Sequence, residues 1–347
     1  MDNRLCKKYF AASNSAEGFV NYFPQIFNSD TCSRIFVIKG GPGTGKSRFM
    51  RDVANEAERK GLGVVYYYCS SDSDSLDGII IEEMGVGILD GTAPHTFEPK
   101  TVGAFEQIIN LGEFWNEREL AERKSEISHI GLKKSAAYDR AYMLLRSYDA
   151  LLRAEESLIS PFVNYKKLGG AVKRLLHKLP ASEKPVTDIA LCRSIGMNGK
   201  TKFDTYEKNA KQVFTVSDYY HIGGIVLGEI VKTAKEMSMS LKISYDPIMR
   251  EKIDAVELCD AGIVFVIGEG VERRINAKRF IEDENIREIK EKFKSFESQA
   301  NNIEELILSE FEEIKAYHFA LEAIYCEAMD FSLKEEYTDR FIKKLFK

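Results

Sequence analysis

Apolar residues in the first third of the chain alternate between continuous runs and helical spacing. The run Ile35 to Ile38 is continuously apolar, as in a strand buried on both faces of a parallel sheet. Apolar residues at helical spacing then follow a glycine-rich segment and stop at Gly61, and they are Phe49, Met50, Val53, Ala54 and Ala57. Two later runs, Val64 to Tyr68 and Val86 to Leu89, predict further strands. The pattern predicts an α/β fold with a parallel sheet flanked by helices.

From about residue 116 to residue 178 the pattern becomes helical. One apolar stripe at helical spacing consists of Tyr138, Ala141, Tyr142, Leu145 and Leu152. Residues 179–185 contain two prolines and break this pattern. We therefore predict two domains, residues 1–180 and residues 181–347.

The second half of the sequence repeats the first weakly. With Gln212 laid on Arg34, the apolar run Val213 to Val216 falls on the first strand. Further matches place Gly223 on Gly45, Val231 on Val53, Asp254 on Asp77, Gly262 on Gly85, Gly268 on Gly91 and Ala316-Tyr317 on Ala141-Tyr142. Two unrelated strand–helix–strand units can also be slid into weak register, but agreement over three strands favours a tandem duplication.

The chemistry of the first half lies in the glycine-rich segment between its first strand and first helix. Its residues are Gly40, Gly41, Pro42, Gly43, Thr44, Gly45, Lys46 and Ser47. Glycines allow successive backbone N–H groups to surround a phosphate, which would also face the positive end of the following helix. In this pattern Lys46 is predicted to contact the outer phosphates, and the Ser47 hydroxyl to ligate Mg2+. The alternative is a glycine-rich turn that binds nothing.

Asp90 follows the third predicted strand, Val86 to Leu89. An aspartate at the tip of such a strand, after a phosphate loop, is expected to hold a water bound to Mg2+. The alternative is a carboxylate that caps the turn into Gly91. In the second half Lys46, Ser47 and Asp90 would be replaced by Gly224, Ile225 and Ile267. That half is predicted to keep the fold and lack the chemistry.

If the loop binds a nucleoside triphosphate, its hydrolysis also needs a group that orients the attacking water. Many ATPases with a glycine-rich phosphate loop of this kind have a glutamate directly after the strand-end aspartate, whereas this chain has Gly91. Residues 69–78 form a polar segment predicted to be a loop at the carboxyl edge of the sheet, where ligands of α/β proteins bind. The candidates near that edge are Asp72, Asp74, Asp77 and His95. The aspartates could instead form a solvated turn, and His95 could be a hydrogen-bonded turn residue.

Composition restricts the class of protein. The 347 residues carry a net charge of -5 and are 44% hydrophobic, which excludes wholesale disorder and a nucleic-acid-binding surface over the whole molecule. Basic segments at 165–178 and 340–347 could meet anionic partners but are more often solvated helix faces. No signal peptide or membrane span is recognisable, so a cytoplasmic location is expected. Six scattered cysteines indicate neither disulfides nor a zinc site.

Four segments resemble those of an uncharacterised bacterial family of tandem P-loop ATPases. They are Gly-Gly-Pro-Gly-Thr-Gly-Lys-Ser at 40–47, Cys-Ser-Ser-Asp at 69–72, Asp-Ser-Leu-Asp-Gly at 74–78 and Asp-Gly-Thr-Ala-Pro-His at 90–95. The resemblance covers the first half well and the second only remotely. In that family the second half often has its own phosphate loop, which residues 218–225 lack. The resemblance implies ATP as the nucleotide.

Three functions are compatible with these residues. The leading hypothesis is an Mg2+-dependent ATPase with a P-loop NTPase fold, active in the first half. A second is a kinase that transfers the γ-phosphoryl group to a small molecule or nucleotide, with an aspartate taking the acceptor's proton. A third is an ATP-gated interaction module with negligible turnover, whose second half binds a protein partner.

Overall fold

Two six-stranded mixed sheets, each flanked by helices, form the body of the molecule. The computed structural model describes residues 7–94, 96–270, 273–282 and 286–347. The first half contains β1 (Lys7–Phe10), β2 (Ala12–Ser15), β3 (Gly18–Asn21), α1 (Phe23–Ile26), β4 (Arg34–Lys39), α2 (Lys46–Arg59), β5 (Val64–Tyr68), β6 (Leu76–Ile81), β7 (Val86–Asp90), β8 (Glu106–Asn110), α3 (Glu117–Glu122), α4 (Lys124–Ile159) and α5 (Tyr165–Leu176). The second contains β9 (Thr187–Ile189), β10 (Arg193–Gly196), β11 (Gly199–Lys202), α6 (Thr205–Asn209), β12 (Gln212–Val216), α7 (Gly223–Glu236), β13 (Leu241–Tyr245), β14 (Ile253–Leu258), β15 (Ile263–Ile267), β16 (Arg274–Ile275), α8 (Ile286–Glu327) and α9 (Phe331–Leu345).

The two sheets have the same strand order. The first runs β1-β5-β6-β7-β4-β8, and the second runs β9-β13-β14-β15-β12-β16. A two-stranded hairpin, β2–β3 or β10–β11, precedes the short helix of each half. The predicted tandem duplication is confirmed by this match.

The prediction of a parallel sheet is wrong for one strand in each half. β6 and β14 run antiparallel to both of their neighbours, so the sheets are mixed. The cause is the length of the connections: residues 69–75 join β5 to β6, and a turn at 82–85 with Gly85 at φ 58° joins β6 to β7. Parallel neighbours need a crossover of about a dozen residues or more. The segment 69–78 was predicted to be a loop, but β6 begins at Leu76.

The match between α2 and α7 is shifted by one residue from the predicted alignment. Phe49, Met50 and Val53 are buried on α2 at the same spacing as Val226, Leu227 and Ile230 on α7. Each helix also ends before a residue with positive φ, Gly61 or Ser238. The positions of Lys46 and Ser47 are therefore taken by Gly223 and Gly224, because the loop before α7 is one residue shorter.

The long helices α4 and α8 pack against each other in antiparallel orientation. Ion pairs join Arg123 near the start of α4 to Glu327 at the end of α8, and Arg140 to Glu310 further along. Equivalent buried positions on the two helices are Ala141, Leu145 and Tyr148 on α4 and Ile307, Phe311 and Ile314 on α8. The predicted match of Ala141 to Ala316 is therefore wrong, because Ala141 is buried whereas Ala316 is exposed on α8.

The last helix of each half packs against the other half. α5 lies on α7, and its residues Leu168 and Val172 belong to the core of the second half. α9 returns to α2, where the Phe341 ring lies 5.0 Å from that of Phe36 and 5.1 Å from that of Phe49, between centroids. Packing thus crosses the predicted boundary near residue 180 in both directions, and the division into domains at that point stays a prediction.

We expect Phe341→Ala to destabilise the protein by about 3 kcal/mol, because it removes an aromatic side chain that closes the core of the first half. The control is Phe319→Ala on α8, whose side chain is 46% exposed and should change stability by less than about 0.5 kcal/mol. Urea unfolding of both variants measures the difference. A loss in Phe341→Ala as small as that expected for Phe319→Ala would show that the contact between α9 and the first half does not stabilise the protein.

Candidate functional site

The glycine-rich loop connects β4 to α2 in a conformation that requires glycine. Gly43 and Gly45 have φ values of 70° and 77°, a region that L side chains rarely adopt. At Gly40, a Cβ atom would lie 2.7 Å from the Thr44 Oγ1 atom, so this position also excludes a side chain. Gly45 is the N-cap of α2, and the first N–H groups of a helix have no intrahelical acceptor. The loop therefore places its amides at the positive end of a helix.

The structure brings Lys46 and Asp90 together, as predicted. β4 and β7 are adjacent parallel strands in which Ile38 pairs with Asp90, so the loop and this aspartate share one sheet edge. The Lys46 Nζ lies 3.6 Å from one Asp90 carboxylate oxygen, and the other accepts the Thr92 N–H at 2.8 Å. Lys46 also donates to the carbonyl oxygens of Gly40 at 3.2 Å and Gly41 at 2.7 Å. The ammonium group is thus held over the loop.

Ser47 lies on the first turn of α2, one residue after Lys46. Its hydroxyl oxygen accepts the N–H of Leu76, at the start of β6, at 3.0 Å. A hydroxyl oxygen has a second lone pair, so this bond leaves one for a metal. In the described part of the chain, no group of three or more His, Cys, Asp or Glu residues is placed to hold a metal by itself. Ser47 and Asp90 are a donor set that suits Mg2+, which usually keeps several waters and binds phosphate oxygens.

Residues 69–75 form a largely buried loop rather than a solvated turn. Asp72 is 9% exposed, and its carboxylate accepts from the Ser75 hydroxyl at 2.6 Å and from the Asn198 amide at 3.2 Å. The same amide lies 3.3 Å from a carboxylate oxygen of Asp74. Because Asn198 belongs to the β10–β11 turn, the second half holds this loop in place. Asp77 lies on β6 and is 3% exposed, so it is part of the sheet and not of the loop.

The position after Asp90 has no room for a glutamate. A Cβ atom on Gly91 would lie 2.4 Å from a methyl group of Val37. Sterics therefore account for the absence of a glutamate at this position. His95, another candidate, lies outside the described residues, and its role stays a prediction.

Three titratable residues that sequence reasoning missed face this edge from the long helices. They are Lys134 on α4 and His318 and Glu322 on α8. The Lys134 Nζ lies 3.1 Å from the His318 Nδ1. Burial, and then the charge of Lys134, lower the pKa of His318 to about 4, so this imidazole is neutral at pH 7. Burial also lowers the pKa of Lys134.

Glu322 lies next to Gly43 of the glycine-rich loop. Burial raises the pKa of Glu322, as does the charge of Asp72, while a hydrogen bond from the Gly43 N–H and the charge of Lys46 lower it. A Cβ atom on Gly43 would lie 2.7 Å from the Glu322 carbonyl oxygen, and the Cys326 thiol donates to the Gly43 carbonyl at 3.4 Å. A carboxylate thus already accepts one of the loop amides.

The only signal of these residues in the sequence was the spacing of His318 and Glu322, which places both on one face of a helix. Nothing local linked that helix to a loop almost three hundred residues earlier in the chain.

In the second half, a carboxylate lies at the position equivalent to the glycine-rich loop. The Asp218 side chain accepts the N–H of Gly223, the first residue of α7, at 2.9 Å. Its other oxygen lies 3.4 Å from the His221 Nδ1, and the His221 Nε2 lies 3.5 Å from the fully buried Glu155. A covalently attached anion therefore satisfies the helix terminus that the first half leaves open. This is the physical reason to expect no nucleotide here.

Asp254, the equivalent of Asp77, is 1% exposed on β14. Its carboxylate lies 3.5 Å from the Arg193 Nε. Burial raises the pKa of Asp254 to about 7, and the neighbouring Arg193 offsets only part of this effect. The cost of ionising a carboxylate in the core therefore exceeds the attraction of a single, poorly aligned guanidinium group.

Comparison with known proteins gives one match. The family described as Nephrocystin 3, N-terminal, is similar to residues 21–80, which include β4, the phosphate loop, α2 and β5. Comparisons with curated proteins and with solved structures gave no match. The similarity covers the loop and its flanking elements, and it names no bacterial ATPase family. Separately, none of the helices in the described ranges has the length and apolar character needed to cross a membrane.

The raised pKa of Asp254 should make stability depend on pH. The folded-state pKa is about 7 and the unfolded value is about 4, so its contribution is full below about pH 4 and is lost as the pH rises through 7. We expect Asp254→Asn to flatten the fall in urea midpoint between pH 5 and pH 8, and the exposed Asp188→Asn to leave it unchanged. An unaltered slope in Asp254→Asn would mean that Asp254 is ionised throughout this range.

Proposed function

We propose that the first half is an Mg-ATP-binding P-loop NTPase that hydrolyses ATP to ADP and phosphate. The observation that carries this proposal is the glycine loop at the start of α2, with Lys46 held over it 3.6 Å from Asp90. The loop offers amides to an anion, the lysine offers charge, and the aspartate and Ser47 offer oxygen donors to a metal. The second half would be structural or regulatory.

Each residue would have a separate task. The amides of Gly43 to Lys46 would bind the β-phosphate, and Lys46 would exchange its two loop carbonyls for β- and γ-phosphate oxygens. Ser47 would ligate Mg2+, and Asp90 would hold a metal-bound water. When bound, Mg2+ would neutralise charge that develops on the phosphates.

Glu322 is our candidate for orienting the attacking water. Gly91 leaves no side chain at the usual position, whereas Glu322 lies at the loop, and both Lys46 and Asp72 act on its pKa. A nucleotide phosphate would take over the Gly43 amide and free the carboxylate for a water. Asp72 is a weaker candidate, since its oxygens already accept from Ser75 and Asn198.

One observation favours the alternative of an ATP-gated interaction module. The carboxylate that accepts from the loop comes from α8 of the second half, so phosphate binding would have to move it. Such a protein would bind ATP and respond in shape without appreciable turnover, and the second half would present a surface to a protein partner. We also propose a cytoplasmic location, since the five described cysteines are free thiols.

Lys46→Ala should abolish phosphate release from γ-labelled ATP, because it removes the charge that neutralises the transferred group. The control is Lys232→Ala, which changes an exposed lysine on α7 and should retain wild-type release. The assay contains only protein, Mg2+ and ATP. Wild-type protein that binds ATP and releases no phosphate would contradict the intrinsic ATPase. ADP formation only on addition of an acceptor would indicate a kinase.

Glu322→Gln should bind ATP more tightly and hydrolyse it about a hundredfold more slowly. The change removes a negative charge that competes for the Gly43 amide, and it also removes the base. Glu327→Gln, on the same helix and 71% exposed in its side chain, serves as the matched control. Single-turnover rates and ATP titrations separate the two effects. Unchanged turnover in Glu322→Gln would assign the water to another group.

A further inference from the structure

Lys334 is a buried lysine at the phosphate loop. It lies on α9, the helix of the second half that packs against the first half. The residue is only 2% exposed. A Cβ atom on Gly45, the last glycine of the loop, would lie 3.5 Å from the Lys334 Cε and 3.7 Å from its Nζ. The second half of the sequence therefore delivers an ammonium group to the start of α2.

This ammonium group has no anion beside it. Among the residues that the structure describes, none accepts a hydrogen bond from the Lys334 Nζ or lies within ion-pair distance of it. Asp52 and Glu335 act on Lys334 only at longer range, and Arg48 opposes them. Burial lowers the pKa of Lys334. A buried cation at the positive end of a helix is unfavourable unless an anion joins it.

Comparison with α5 shows that helix packing alone does not require a lysine at position 334. Asn164 and Asp330 cap α5 and α9 with their side chains, so the two helices start at equivalent points. Four residues after these caps stand Leu168 and Lys334. Leu168 is fully buried in the core of the second half. An apolar side chain thus fills the equivalent position in the half whose phosphate site is closed by Asp218.

We propose that Lys334 is a second phosphate-binding lysine of the nucleotide site, supplied by the second repeat to the loop of the first. The inference rests on the proposed nucleotide site and adds a residue and a role for the second half. A polyphosphate at the start of α2 would provide the missing anion for Lys334. Nucleotide binding would then also hold α9 at the loop, through a charge-assisted hydrogen bond from Lys334 to a phosphate oxygen.

Two substitutions test this proposal, Lys334→Leu, which copies the residue at position 168, and Lys334→Met, which keeps the length of the side chain. Thr338→Val is the matched control, because Thr338 is the next buried polar residue of α9 and Val172 is its equivalent on α5. Affinity for Mg-ATP can be followed by the fluorescence of Trp115, the single tryptophan, whose ring lies 3.3 Å from a Cβ placed on Gly41. Thermal unfolding without nucleotide gives the second readout.

We expect both Lys334 variants to bind Mg-ATP roughly ten- to a hundredfold more weakly than wild type. Without nucleotide they should melt at a higher temperature, because an uncompensated buried charge is gone. If Lys334 had only a structural role, its variants would not combine weaker binding of Mg-ATP with a higher melting temperature. Thr338→Val should keep wild-type affinity.

Wild-type affinity in both Lys334 variants, together with loss of binding in Lys46→Ala, would overturn this inference and leave the proposed function intact. Absence of Mg-ATP binding by the wild-type protein would overturn both.

Discussion

The exchange of terminal helices is the constraint on which the rest of the structure depends. Each repeat builds a sheet with one helical face that its own chain does not cover, and the last helix of the other repeat covers it. Burying that apolar face stabilises both halves. The long helices α4 and α8 must then run side by side, because they carry α5 and α9 to the opposite half. Neither core is complete without residues from both repeats.

That exchange also determines the composition of the candidate site. The loop, Lys46 and Asp90 come from the first repeat, whereas Glu322, His318 and Lys334 come from the second. Around the loop lie three lysines, Lys46, Lys134 and Lys334, and three carboxylates, Asp72, Asp90 and Glu322, and the start of α2 adds the positive end of its dipole. The Glu322 carboxylate offsets part of it by accepting from the Gly43 amide.

The two halves differ in what surrounds the start of the equivalent helix, α2 or α7. In the first, glycines leave the amides at the start of α2 open to other groups. In the second, Asp218 reaches the equivalent N–H of Gly223 and supplies the anion within the chain. Leu168 packs where Lys334 stands in the first half. The second half therefore combines a carboxylate in the loop, Asp218, with an apolar residue on the covering helix, Leu168. The two fit together, because a helix start that already has an anion needs no further cation.

The sequence by itself determined the local elements and the residues adjacent to them. The apolar run before Gly40, the glycine spacing and the helical stripe after Ser47 predicted β4, the loop and α2, because strand, loop and helix depend on neighbours a few positions away. Asp90 and Lys46 were assigned to one site from their positions after two strands, and these strands are parallel and end at one sheet edge, which brings the two residues together. The antiparallel β6 was missed because a polar, glycine-containing segment is typical of a loop. Only the tertiary structure brought Glu322 and Lys334 to the loop. Their positions depend on which half covers which sheet, and that is decided by long-range packing, which leaves no periodic trace in the sequence.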